Sequence, residues 1–144
     1  MSTRSRIGIQ IGPDILSSYH HWDGYPNWLG RILQTHYNTK EKVSELIDGG
    51  DMSCAWTNQS FKDVDGLYQI VDKENDQYGP QYYSERGENC PPVLMSTEEY
   101  LTKDNNEEYA YIYRNGRWVC YDMNEFNNSK QPEIVEIPTA PLSH

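Results

Sequence analysis

Long apolar runs are missing from this chain of 144 residues, and apolar side chains as a whole reach only 36%. No stretch approaches the length that spans a bilayer, and the opening Ser-Thr-Arg-Ser-Arg lacks the apolar core of a signal peptide. The expected setting is therefore the cytosol. Positive charge is also scarce, with 12 basic against 22 acidic side chains and a net charge of −10. Such a chain is repelled by phosphate backbones and anionic lipid, which argues against binding nucleic acid or membranes. Its acids are scattered among basic and aromatic residues, so they read as solvating charge rather than as a mimic of duplex phosphates. The three cysteines, Cys54, Cys90 and Cys120, include no C-x-x-C pair and cannot all bond within one chain. They read as buried free thiols in a reducing compartment. No internal repeat, G-x-S-x-G, P-loop or H-E-x-x-H string is present, and no cofactor is expected.

Aromatic residues take up the missing core volume, with 12 Tyr and 4 Trp. Each ring buries a large area but keeps a polar tip that needs a partner or water. A shallow core with an adhesive, aromatic surface follows, and that composition favours a binding protein.

Isoleucines at 7, 9 and 11 have the period of a half-buried strand, and Gly12-Pro13-Asp14 is a turn signal. Residues Ile15 to Trp22 read as a second strand, giving an N-terminal hairpin. On it Ile15, Ser17, Tyr19 and His21 share one face, and Leu16, Ser18, His20 and Trp22 the other. Asp23-Gly24-Tyr25-Pro26 breaks the strand, and helical spacing begins at Asn27, with Trp28, Leu29, Ile32, Leu33, His36 and Tyr37 on one stripe. Asn38 with Glu41 reads as a capping box for a second helix, which Gly49-Gly50 ends. Residues 51–80 read as a long surface excursion in which Phe61 to Val71 fits either a helix or a strand. A strand over Gln81–Glu85, a turn at Gly87 and a helix opened by the capping box Ser96-Thr-Glu-Glu99 come next. A second hairpin follows, Glu108–Tyr113 and Arg117–Tyr121 around Asn115-Gly116. The expected fold is α+β: one antiparallel sheet from the N- and C-terminal hairpins, with two mid-chain helices packed on one face. Residues 1–123 form its single domain, and 124–144 an extended or disordered tail.

The segment Tyr19-His20-His21-Trp22-Asp23-Gly24-Tyr25-Pro26 gathers two histidines, a carboxylate and three aromatics at a strand-to-helix junction. His20 or His21 with Asp23 and His36 supplies donor types suited to zinc or iron. Adjacent strand histidines point to opposite faces, however, which weighs against one ion taking both, and no metal is expected. A His21–Asp23 pair has the makings of an acid–base couple, but no nucleophile accompanies it. Arg86, Arg114 and Arg117 lie near Tyr82, Tyr83, Tyr113 and Trp118 in sequence, a set able to stack a base and fork a phosphate. Candidate binding residues are accordingly His20, His21, Trp22, Asp23, Tyr25, Arg86, Arg114, Arg117 and Trp118.

The opening Met-Ser-Thr-Arg-Ser-Arg-Ile, the His-Trp-Asp-Gly-Tyr-Pro block and the following Leu-Gly-Arg-Ile-Leu resemble a group of short proteins encoded by tailed bacteriophages. Tyr83-Ser-Glu-Arg-Gly-Glu88, Glu107-Glu-Tyr-Ala-Tyr111 and Asn115-Gly-Arg-Trp118 carry the same likeness. No catalytic residue comes over with it. The resemblance implies a small accessory protein in the host bacterial cytoplasm, outside the particle, that binds and modulates or inhibits a host protein. Host takeover and anti-defence are the roles it suggests. Sequestration of a small signalling nucleotide is the alternative, a small metal-dependent hydrolase a third, and a homo-oligomer is compatible with all three.

Overall fold

The computed structural model describes residues 4–21, 24, 26–54, 81–102, 107–123 and 132–137. The fold is α+β. Strand β1 (Ser5–Ile11) runs into β2 (Asp14–His20) through Gly12-Pro13, with Gly12 at φ 59° where a side chain would be strained. The second hairpin, β6 (Tyr109–Arg114) and β7 (Arg117–Asp122), turns on Asn115 and Gly116 at φ 53° and 78°, the twist that suits a two-residue turn.

Between them, Pro26–Gly30 forms one wide π-helical turn that leads into α1 (Arg31–His36), followed by α2 (Lys40–Asp48). The cap of α2 falls one residue later than the spacing suggests: the Thr39 side chain, not Asn38, accepts from the Lys42 amide. Strand β3 (Met52–Cys54) pairs with β4 (Gln81–Tyr82), which is shorter than the sequence suggests because Tyr83–Arg86 winds into a 3-10 turn. Gly87, at φ 84°, ends that turn. Strand β5 (Val93–Ser96) leads into α3 (Thr97–Tyr100), whose N-terminus closes with the full Ser96–Glu99 capping box. The stretch 55–80 lies outside the described residues.

The strands form one eight-stranded sheet in the order β4-β3-β2-β1-β6-β7-β8, with β5 on the outer edge of β2 beside β3. Both hairpins are present, but they meet first strand to first strand, so β1 and β6 run parallel and the sheet is mixed. The expectation of an all-antiparallel sheet fails at this seam, and again where β3 pairs with β2 in parallel at His20 and Met52. Local turn chemistry decides the hairpins, whereas their mutual orientation depends on which strand each presents inward.

The expected tail is also part of the fold where it is described. Strand β8 (Glu133–Val135) pairs with β7, and Ile137 is buried in the core. A Cβ on Gly30 would stand 2.7 Å from Ile137 Cγ2, so the bare glycine backbone leaves room for it.

One sheet face carries the main core. Ile7 and Ile9 from β1, Tyr111 and Tyr113 from β6, and Trp118 and Cys120 from β7 pack against Leu29, Leu33, Val43, Leu46 and Ile47 of the helical layer. The polar tips of the rings are bonded to backbone. Tyr111 Oη donates to the Gly24 carbonyl at 2.6 Å, Trp118 Nε1 to Tyr37 at 2.8 Å, and Tyr82 Oη to Leu46 at 2.7 Å. The opposite face is covered in part by α3, a helix layer the sequence reading did not place. Its Tyr100 lies over Gly8, packs with Ile15, Ala110, Ile112 and Met123, and donates to the Tyr111 carbonyl. Cys90 and Cys120 are free thiols, and burial pushes the Cys120 thiol up to about 12. No helix among the described residues is long and apolar enough to cross a membrane.

Tyr111→Phe removes a buried donor and leaves the Gly24 carbonyl without it, which should cost about 1–3 kcal/mol in urea denaturation. Tyr121→Phe, at a half-buried ring on the other face, should cost less than about 1 kcal/mol. Equal losses would show that the Tyr111 hydroxyl does not anchor the strand-to-helix corner.

Candidate functional site

Strand alternation divides the two histidines as the sequence predicts. His20 is completely buried on the helix side, opposite Ser5 on β1 and beside Met52. Burial, with His21 as a lesser contribution, pushes its imidazole down to about 3, so the ring is neutral at physiological pH. His21 lies half-buried just beyond β2, and its amide donates to the Met52 carbonyl. Trp22, Asp23 and Tyr25 lie outside the described residues, as does the side chain of His36. Among the described residues no group of three or more His, Cys, Asp or Glu is placed to hold a metal ion.

On its own face His21 meets a partner that the sequence reading did not weigh. Its Nδ1 lies 2.8 Å from the Tyr19 hydroxyl. Burial, with Tyr83 nearby, pushes that phenol up to about 12. A phenol held neutral is a poor nucleophile, and which of the two groups donates follows the His21 tautomer. On the adjacent strand Arg6 Nε donates to Ser17 Oγ at 3.1 Å, and its guanidinium stands 3.7 Å from the Glu107 carboxylate. Burial raises the Glu107 carboxyl above the ordinary range despite Arg6. Asp51 fastens the neighbouring edge: its carboxylate accepts from the Tyr19 amide, its carbonyl from Tyr83, and its own amide donates to Cys90. These groups largely bond one another. The cluster orders the corner, and no motif or period in the sequence marked it.

Among the described residues the arginine–aromatic set is spread over both faces and both ends of the sheet. Tyr113 and Trp118 face the helices, edge to face at 5.2 Å, and both are buried. Arg114, one residue from Tyr113, therefore projects from the opposite face, where it donates to Tyr121 Oη at 3.0 Å and lies 6.0 Å from that ring. Arg117 is exposed at the hairpin turn. Tyr82 and Tyr83 sit at β4, on the far edge of the sheet from β7. Arg86 belongs to the 3-10 turn at that same far edge, and its side chain lies outside the description. Period two and strand order separate what lies close in sequence.

Among the described residues the exposed large apolar side chains are aliphatic: Ile134 of β8 at one side of the sheet, and three more toward the other. Ile11 is 51% exposed, Val93 47% and Leu94 57%. Register connects them. Leu94 pairs with Leu16, Leu16 with Ile9, and Ile11 ends the same side of β1. Ile9 is buried and Leu16 half-buried, so an aliphatic strip runs outward from the core along the helix-side face to the edge of the sheet. Val93 opens the opposite face of the same edge strand, opposite Ser17. In the sequence, Pro91-Pro92-Val93-Leu94 carried no period long enough to register as a strand.

Comparison with protein-family models, with curated proteins and with solved structures returns no match to this chain.

His20 sets an acid limb of stability. Its folded value lies far below the ordinary 6.5, so the unfolded chain takes up a proton that the folded chain refuses. The contribution is complete above pH 6.5 and is lost as pH falls toward 3. Glu107, raised by burial, acts in the opposite sense: its contribution is present below its ordinary value and fades as pH rises through the folded one. Thermal melting across this range should show a fall for the native chain that is flatter in His20→Phe. An unchanged pH slope would exclude His20 as the titrating group.

Proposed function

We propose that this chain is a non-enzymatic accessory protein of a tailed bacteriophage, acting in the host bacterial cytoplasm by binding and modulating or inhibiting a host protein. The observation that carries the binding part is the aliphatic strip Ile11–Leu16–Leu94 on a chain otherwise short of apolar side chains. Contiguous apolar side chains exposed at a sheet edge are a characteristic feature of contact surfaces. The polar clusters lend catalysis little support, because Arg6 is bonded to Ser17 and Tyr19, paired with His21, is held protonated. The phage setting rests on the His-Trp-Asp-Gly-Tyr-Pro block and its flanking strings.

Tagged chain expressed in the bacterial host should recover a host protein in stoichiometric amount. The double variant Ile11→Glu, Leu94→Glu should lose that protein while its melting temperature stays within a few degrees, since both positions face solvent. Recovery of no stoichiometric protein by the native chain, or equal recovery by the variant, would overturn the proposal.

A further inference from the structure

We infer that the partner contributes an extended segment with basic flanks, which adds to the sheet as a new strand along the outer edge of β5. This rests on the binding reading above and specifies the form of what is bound.

Strand β5 pairs with β2 along one edge, and among the described residues no strand pairs with its other edge. Unpaired amides and carbonyls of such an edge are a template for a further strand. Proteins ordinarily protect such an edge with charge, proline or a bulge. At the opposite side of the sheet β8 also exposes an aliphatic side chain, Ile134, but it carries a charge, Glu133, within the strand itself. The segment Val-Leu-Met-Ser of β5 has no charge and no proline; Pro91-Pro92 precede it and bound the edge on that side. Both faces of the edge are apolar and open, through Val93 on one side and Leu94 on the other. The Ser96 amide is already taken by Glu99, so an added strand would find its backbone partners ahead of Ser96, with apolar contacts for alternate side chains on each face.

Charge chooses the occupant. From Gly87 to Thr102 the acids are Glu88, Glu98 and Glu99, all exposed, and there is no lysine or arginine. Glu88 lies before the strand, and Glu98 and Glu99 follow it in α3. A second copy paired antiparallel through β5 would bring Glu88 of one chain toward Glu98 and Glu99 of the other, between two molecules of net charge −10. Like charges at both ends oppose that dimer. An extended segment with a short apolar centre and lysine or arginine on each side meets the same edge with complementary charge.

The test uses the intact chain and labelled synthetic peptides followed by fluorescence anisotropy. One peptide alternates Val and Thr between lysine pairs, a second replaces those lysines with glutamate, and a third carries proline in the Val–Thr centre. The lysine-flanked peptide should bind, weaken on the order of tenfold from low to high salt, and slow amide exchange over Val93–Met95. The other two peptides, and the solvent-facing variant Leu94→Lys with the lysine-flanked peptide, should bind at least about tenfold more weakly. Equal binding of the lysine and glutamate peptides, or of the proline peptide, would overturn the inference. So would self-association in sedimentation that Leu94→Lys abolishes, since a second copy would then own the edge. If none of the peptides binds while a stoichiometric host protein is still lost on Leu94→Glu, the strand-addition inference falls and the binding proposal stands.

Discussion

The fold depends on the polar tips of buried aromatic rings finding backbone carbonyls. A chain with so few aliphatic side chains fills its core with Tyr and Trp, and each ring carries a hydroxyl or indole N–H inside with it. Buried without a partner, each would cost about as much as its ring contributes at the margin, on the order of 1–3 kcal/mol. Here Tyr111 reaches Gly24, Trp118 reaches Tyr37, and Tyr82 reaches Leu46, so the bonds run from the sheet to the layer above it. The same contacts that satisfy the rings therefore dock the helices. One of them, from Tyr111, holds the strand-to-helix corner on which the histidine segment lies.

The second constraint is the parallel seam between β1 and β6. It places the two hairpins side by side and puts Ile7 next to Tyr111 at the centre of the sheet. The alternation that follows sends His20 inward with the helices and leaves His21 on the other face with Tyr19. A segment rich in chemically capable residues is thereby divided. Among the described residues of that segment, His20 is core, and Tyr19 and His21 form a bonded pair on the other face.

What remains open to a partner lies at the edge. The aliphatic strip begins as ordinary core at Ile9, thins at Leu16 and comes out into solvent at Leu94. On the proposed reading, its acidic surroundings and the net charge of −10 favour a partner of opposite charge over a second copy. An edge that lacks the usual protection is a liability unless something covers it.

Much of the local structure was legible in the sequence. Gly12-Pro13 and Asn115-Gly116 announced their turns because positive φ is a property of single residues, and Ser96 with Glu99 announced a helix start because a capping box spans four positions. The alternation of His20 and His21 was equally readable, and it correctly separated them. Three features were not legible: the parallel seam, the recruitment of Glu133–Val135 and Ile137, and the exposure of Val93 and Leu94. Each depends on which strand lies beside which, and no period or turn residue encodes a neighbour distant in the chain. Sequence alone thus determined the two hairpins, the two mid-chain helices, the α+β class and the acidic, aromatic composition of the protein, because these follow from local conformational preference and residue content. Tertiary structure decided that the arginines and aromatics would be parted and that a short aliphatic strand would stand at an open edge, because burial is shared between residues that only the fold brings together.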